Sequence, residues 1–261
     1  MPDMKGKIFY IALNTCRESI RSRLLYSILT FAVLLVVLSA FFGTVTIGDQ
    51  IKVIKSFGLF GISIFSVLFA VLSGGALLYK ELSRKTIYNI LARSVERHEF
   101  LLGKYLGMLF TAGLLIAGMW AGLSIFVLLL DGSFDPALFR ACLHIFLELI
   151  IVCAAAIFFS SIVVTPMLSG IFTFGLFLAG RSCEYVLYFI KPGNLGEASA
   201  LPVKCLYWLL PHLDRINVSD LAIYQQESSF AHTAWCFVYA AAYAGILLGF
   251  ATLIFRRREF N

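Results

Sequence analysis

Six long apolar runs alternate with polar segments along the chain, at about residues 24–42, 57–79, 106–130, 138–161, 166–185 and 232–255. A bilayer hydrocarbon core of about 30 Å needs roughly 20 apolar residues in a helix. Each run is near that length. The second contains no charge, the fourth contains Glu148, and the fifth ends in the less apolar Arg181 and Glu184. The pattern predicts an all-α membrane protein with six transmembrane helices in one domain, residues 1–261. Thr165-Pro166 marks a tight turn between the fourth and fifth runs, because proline disfavours helix in the residue before it.

The polar segments are uneven. Residues 1–23 and 80–105 are basic and short, whereas 181–231 is long and broken by Pro192-Gly193, Pro202 and Pro211. Between the last two prolines, VKCLYWLL is apolar and aromatic, and tryptophan and tyrosine favour the membrane interface. This stretch reads as a short external helix on or dipping into the outer leaflet, too short for a seventh span.

Composition sharpens this picture. The chain is 60% hydrophobic and 14% charged, with a mean hydropathy of +0.90. A soluble domain keeps its apolar fraction near one half. The net charge of +6 does not point to nucleic acid, because the basic residues flank apolar runs instead of forming one basic domain. Five basic residues precede the first run, six lie in 80–105 and three in the tail, which places 14 of 21 in segments that six spans put on one side. The positive-inside rule makes that side cytoplasmic, with both termini there. The first run is longer than a signal-peptide core and reads as a retained helix. The six cysteines show no close metal-ligand spacing.

The segment 80–105 gathers nine charged residues. Within it Ile87, Ile90 and Leu91 fall at i, i+3, i+4, giving one apolar helix face. Ser94 is placed to cap a second helix that runs through Phe100 to Leu102 into the third span, with Glu96 in its first turn. The amino-terminal segment is similar: Ile8, Ile11 and Ala12 are apolar, while Arg17, Glu18, Arg21 and Arg23 are charged. Spacing alone leaves two readings for the first of these helices: a handle pushed by a partner, or a surface helix resting on lipid headgroups.

Three stretches, ALNTCRESIRSRLLYSIL at the amino terminus, YKELSRKTIYNILARSVERHEFLLGKYLG after the second run and RRREF at the tail, resemble ABC-2-type transporter permeases. The closest-looking group contains the permease for copper-site maturation of nitrous-oxide reductase. Many relatives carry proline where this chain has Ser94, and glycine where it has Lys85. The resemblance implies a permease subunit of the bacterial inner membrane, an exporter in class, paired with a second permease copy as homodimer or heterodimer. It implies that 80–105 is a coupling loop docking on a separate ABC ATPase subunit, through Glu81, Thr86, Ile87, Tyr88, Ile90, Leu91 and Arg93. Arg17, Glu18 and Arg21 would support that contact. ATP and magnesium would sit on the partner, and this chain would bind no cofactor and perform no catalysis. The sequence independently lacks a phosphate-binding loop: Gly6-Lys7 and Gly103-Lys104 have neither the upstream glycine nor the following Ser or Thr. An alternative is a membrane subunit that transmits ATPase strokes to a periplasmic protein without transporting anything.

Other residues carry separable readings. Glu148 lies mid-span with His144 one turn earlier on the same face. A carboxylate at the bilayer centre costs on the order of 2.5–3.5 kcal/mol, so it faces the bundle interior or an interface. It is read as a substrate or proton contact, or as a structural hydrogen bond. These two ligands are too few for zinc, and without a nucleophile-and-base constellation they do not make an enzyme. Cys183 and Cys205 share the external segment, where a disulfide is permitted. Arg181 and Glu184 are spaced to pair. Asn217-Val218-Ser219 matches a glycosylation pattern, and Gly74-Gly75 would permit close helix packing.

Overall fold

The computed structural model describes residues 4–45, 50–83, 96–163, 165–185, 207–224 and 229–257. Among them there is no strand. The helices are α1 (Met4–Ile20), α2 (Arg23–Val45), α3 (Gln50–Ser83), α4 (Arg97–Asp131), α5 (Pro136–Ile162), α6 (Pro166–Arg181), α7 (Leu213–Ile216), α8 (Ser219–Ile223) and α9 (Phe230–Arg257). Helices α3, α4, α5 and α9 are each long and apolar enough to cross a membrane. Helices α1 and α2 meet that measure only together, with a 58° bend between them, which makes five. Helix α6, in the fifth apolar run, has 16 residues, about 24 Å at 1.5 Å per residue. The chain is therefore compatible with a multi-pass membrane protein.

Helix α5 is the centre of the bundle. Its apolar residues run all the way round (LELIIVCAAAI), which is the pattern of a helix buried on every side. Leu149 and each residue from Ile151 to Ala156 are fully buried. The alanines leave room for backbones to approach, as small residues do between membrane helices. A Cβ on Gly74 of α3 would lie 2.4 Å from the Ala156 Cβ, and one on Gly75 would lie 2.8 Å from the Pro166 carbonyl. The glycine pair is thus the contact of α3 with both α5 and the start of α6. The Tyr105 hydroxyl donates to the Ile150 carbonyl at 3.1 Å, fixing α4 against α5. Helix α9 lies on the outside, with Trp235, Phe237, Ile246, Phe250 and Leu253 exposed.

Helix α4 is the continuous element expected from the sequence, running from the polar segment through Phe100 to Leu102 into the third apolar run. It has 35 residues, about 52 Å, well beyond the hydrocarbon thickness. Its N-cap is Glu96, not Ser94, which lies outside the described residues. The Glu99 carboxylate folds back to accept the Glu96 N–H at 2.9 Å, so the chain's own acidic residue satisfies that terminus. At the far end Gly132 adopts φ +70°, the left-handed conformation that stops a helix, and its N–H returns to the Leu128 carbonyl. Asp135 then caps α5 by accepting the Ala137 N–H at 2.9 Å.

Candidate functional site

Two regions hold the residues singled out in the sequence, and they lie at different levels of the bundle. The first is the end where α4 begins. Helix α1 packs there along α4: a Cβ on Gly103 would meet the Ile11 side chain at 2.7 Å, and one on Gly107 would meet the Ala12 carbonyl at 2.5 Å. Thr15 and Ser19 of α1 are buried, while Arg17, Glu18 and Arg21 are exposed. Phe9 and Tyr10 also point outward, 63% and 72% exposed, as aromatic residues do at a headgroup layer. The carboxyl end of α9 reaches the same place. Arg97 Nη1 donates to the Phe255 carbonyl at 2.7 Å and the Arg256 carbonyl at 2.9 Å. The Phe100 and Phe255 rings stack at 6.5 Å.

Of the loop residues expected to couple to a partner, Thr86, Ile87, Tyr88, Ile90, Leu91 and Arg93 lie outside the described residues. Glu81 belongs to the last turn of α3, and its side chain is not among those described. What the structure supplies is the frame on both sides of that loop: α3 leading in and α4, braced by α1 and α9, leading out.

The second region is a polar cluster inside the bundle. Glu148 of α5 is 1% exposed, and Arg181 at the end of α6 lies 3.4 Å away. Arg181 Nη1 also donates to the Ser63 hydroxyl of α3 at 2.8 Å, and its guanidinium lies 5.9 Å from the Phe177 ring. The expected pairing of Arg181 with Glu184 does not form. Glu184 is exposed, while the last turn of α6 turns Arg181 inward towards a carboxylate with no other countercharge among the described residues. A buried carboxylate needs such a partner, since removing it from water unpaired is costly.

The segment 207–224 roofs this cluster. Leu213 and Ile216 are buried, and Gly180 is so close to it that a Cβ would lie 2.6 Å from the Pro211 carbonyl. The stretch following VKCLYWLL therefore dips into the bundle. Trp208 and Leu209 stay outside, 81% and 73% exposed. The Tyr239 hydroxyl accepts the His212 N–H, and the Tyr243 hydroxyl donates to the Leu209 carbonyl, tying the roof to α9. Asn217 faces Glu148. Its carbonyl oxygen accepts the Ser219 N–H, and its Nδ2 is buried with no hydrogen bond of good geometry. A glycan has no access to that nitrogen, which overturns the glycosylation reading.

His144 sits one turn from Glu148 on α5 and is 1% exposed. Its Nδ1 is 2.8 Å from the Ile216 carbonyl and its Nε2 is 3.1 Å from the Thr233 hydroxyl of α9. The His232 ring stacks on it at 5.8 Å. Cys183 carries a free, buried thiol directed at the Ala179 and Pro211 carbonyls, not a disulfide. Cys205 lies outside the described residues. A second internal ion pair, Lys55 of α3 with Asp135, is also shielded, with side chains 2% and 10% exposed.

Sequence reasoning found Glu148 and His144 but not Arg181, Ser63, Asn217, His232 or Cys236 as their neighbours. A signal existed for Arg181: the basic residue of the fifth apolar run and the one carboxylate inside the preceding run call for each other. No family model matches the chain, and no curated protein matches it.

Proposed function

We propose that the chain is the transmembrane permease subunit of an ATP-binding-cassette transporter, an exporter whose ATPase is a separate subunit. Six crossings place both termini and the loop 80–105 in the cytoplasm of a bacterium, with the chain in the inner membrane beside a second permease copy. Helices α2 and α6 supply the two crossings beyond the four long apolar helices. Helix α2 has 23 residues, about 35 Å, and α6 is followed by a turn at Ser182 and further helical backbone over 183–185. The resemblance of the amino terminus, loop and tail to ABC-2-type permeases is one support.

The observation that carries the reading is convergence. The basic amino-terminal helix, the start of α4 and the basic end of α9 meet at one end of the bundle, through Gly103 and Gly107 against α1 and through Arg97 against Phe255 and Arg256. A force applied to the loop between α3 and α4 therefore meets three braced elements instead of a free turn. The coupling role belongs to Glu81, Thr86, Ile87, Tyr88, Ile90, Leu91 and Arg93, with Arg17, Glu18 and Arg21, exposed on α1, in support.

A second reading, transmission of ATPase strokes to an external protein without transport, draws on the roof. Its residues are bonded into the bundle, so a partner pressing on it would feel movement of α5 and α6. One experiment addresses both. The tagged full chain is purified from its native membrane and scored for a co-purifying nucleotide hydrolase. Ile87→Asp and Leu91→Asp abolish that association while leaving the elution profile unchanged. Purification with no hydrolase at all refutes both readings. Substrate-independent ATPase stimulation by an external protein, with no flux in vesicles, selects the second.

A further inference from the structure

His144, His232 and Cys236 bring two imidazole nitrogens and one sulfur within 4.8 Å of one another. His232 and Cys236 stand at i, i+4 on the first two turns of α9, so they share a face, and their Nε2 and Sγ are 3.5 Å apart. His144 faces them from α5, its ring nearly parallel to that of His232, with 15° between the planes. Counting ligands along α5 alone gave two. The packing of α9 on α5 changes the set to His, His and Cys.

We propose that these three residues form a binding site for a transition-metal ion of the zinc class. The orientation of His144 is the main argument. A backbone carbonyl only accepts, so the 2.8 Å contact with Ile216 makes Nδ1 the protonated nitrogen. Nε2 then carries its lone pair into the cluster. Histidine ligands are commonly fixed in this way, by a carbonyl holding the other ring nitrogen. The Thr233 hydroxyl, 3.1 Å from Nε2, donates to that lone pair and gives it up when an ion binds.

The distances fit. Zn–N bonds near 2.0–2.1 Å and Zn–S bonds near 2.3 Å, in tetrahedral geometry, put ligand nitrogens about 3.3 Å apart and nitrogen and sulfur about 3.6 Å apart. The 3.5 Å between His232 and Cys236 already has that value. The remaining separations close by movement of His232, which is exposed while His144 and Cys236 are buried. The same exposure gives the ion its entry. Two nitrogens and a sulfur exclude magnesium and calcium, which take oxygen ligands. Binding a divalent ion converts the Cys236 thiol to a metal thiolate and releases one proton to water, with no change of oxidation state.

The inference is independent of the permease proposal. The test uses the full chain in detergent micelles, stripped with chelator and titrated with Co(II) as a spectroscopic probe. The expected result is one cobalt per chain with a thiolate-to-cobalt charge-transfer band, displaced by Zn(II) and untouched by millimolar Mg(II) or Ca(II). Cys236→Ser loses the band. His232→Ala weakens binding by at least the 10–100-fold typical of outer-shell changes. Circular dichroism and elution volume establish that both variants fold. Absence of the band in the wild-type chain, or its persistence in Cys236→Ser, overturns the site. Failure of a nucleotide hydrolase to co-purify leaves it standing.

Discussion

Replacing Arg181 with methionine tests the internal ion pair, and its cost follows from the asymmetry of the two partners. Glu148 is 1% exposed and Arg181 is 34% exposed. At 3.4 Å, an effective dielectric of 20 gives a gross attraction of about 5 kcal/mol. Stranding one partner of a buried pair costs 3–5 kcal/mol. Because Arg181 keeps some hydration, Arg181→Met is expected at the lower end, about 3 kcal/mol. Glu148→Gln is milder, about 1 kcal/mol, since Arg181 retains the Ser63 hydroxyl and reaches water. The double variant carries no buried charge and is expected to cost about 2 kcal/mol, which leaves a coupling of about 2 kcal/mol between the sites. The assay is reversible denaturation of the full chain in micelles, with all four proteins on one scale. Additivity within about 0.5 kcal/mol, or a Glu148→Gln variant as damaged as Arg181→Met, would refute the claim that the pair neutralises a trapped carboxylate.

Other consequences are more local. Gly107→Val drives a side chain into the Ala12 carbonyl, 2.5 Å from the position of its Cβ; overpacking of this kind costs about 1–3 kcal/mol, and limited proteolysis should release α1 faster than in the wild type. Asp135 both caps α5 and neutralises Lys55. Asp135→Asn keeps the cap and loses the charge, whereas Asp135→Ala loses both and should be less stable by a further ~1 kcal/mol in thermal unfolding. Gly180→Val pushes on Pro211 and Leu213, so Cys183, fully buried in the wild type, should become reactive to a maleimide; unchanged protection would show that the roof does not rest on α6.

The apolar helices were legible where the chain is uniformly apolar. The run 138–161 became Pro136–Ile162, and the run 232–255 became Phe230–Arg257. They were less legible where a helix continues past the apolar stretch. Helix α4 extends back to Arg97 because Glu99 and Lys104, polar in sequence, are buried in the fold. Hydropathy alone begins the element at Leu106, whereas capping and spacing carried the expected helix back through Phe100, with the cap falling at Glu96 instead of Ser94. The polar cluster was half legible. Glu148 announces itself as a carboxylate in an apolar run, but its partner depends on the rotation of α6 about its axis and on the level at which α6 meets α5. The i, i+4 spacing of His232 and Cys236 was visible too, and carries no meaning until α9 brings it against His144.

The roof links the two chemistries of the cluster. Ile216 gives its carbonyl to His144, and Asn217, the next residue, faces Glu148. A displacement of this short stretch releases both at once. Opening it into a water-filled vestibule forfeits the His144 hydrogen bond, about 1 kcal/mol, and wets Leu213 and Ile216 at about 1.5–3 kcal/mol each. The total, about 4–7 kcal/mol, holds the open form near 10⁻³ to 10⁻⁵ of the population at 1.4 kcal/mol per decade. A resting bundle is therefore closed on this side. On the permease proposal, the work needed to open it is within what one stroke at the α1–α4–α9 end must deliver, and a metal drawn to His144 would act on the same latch. Labelling of Cys183 in the wild-type chain measures that population directly: modification as fast as in the Gly180→Val variant would mean that the roof stands open at rest, and the latch argument would fail.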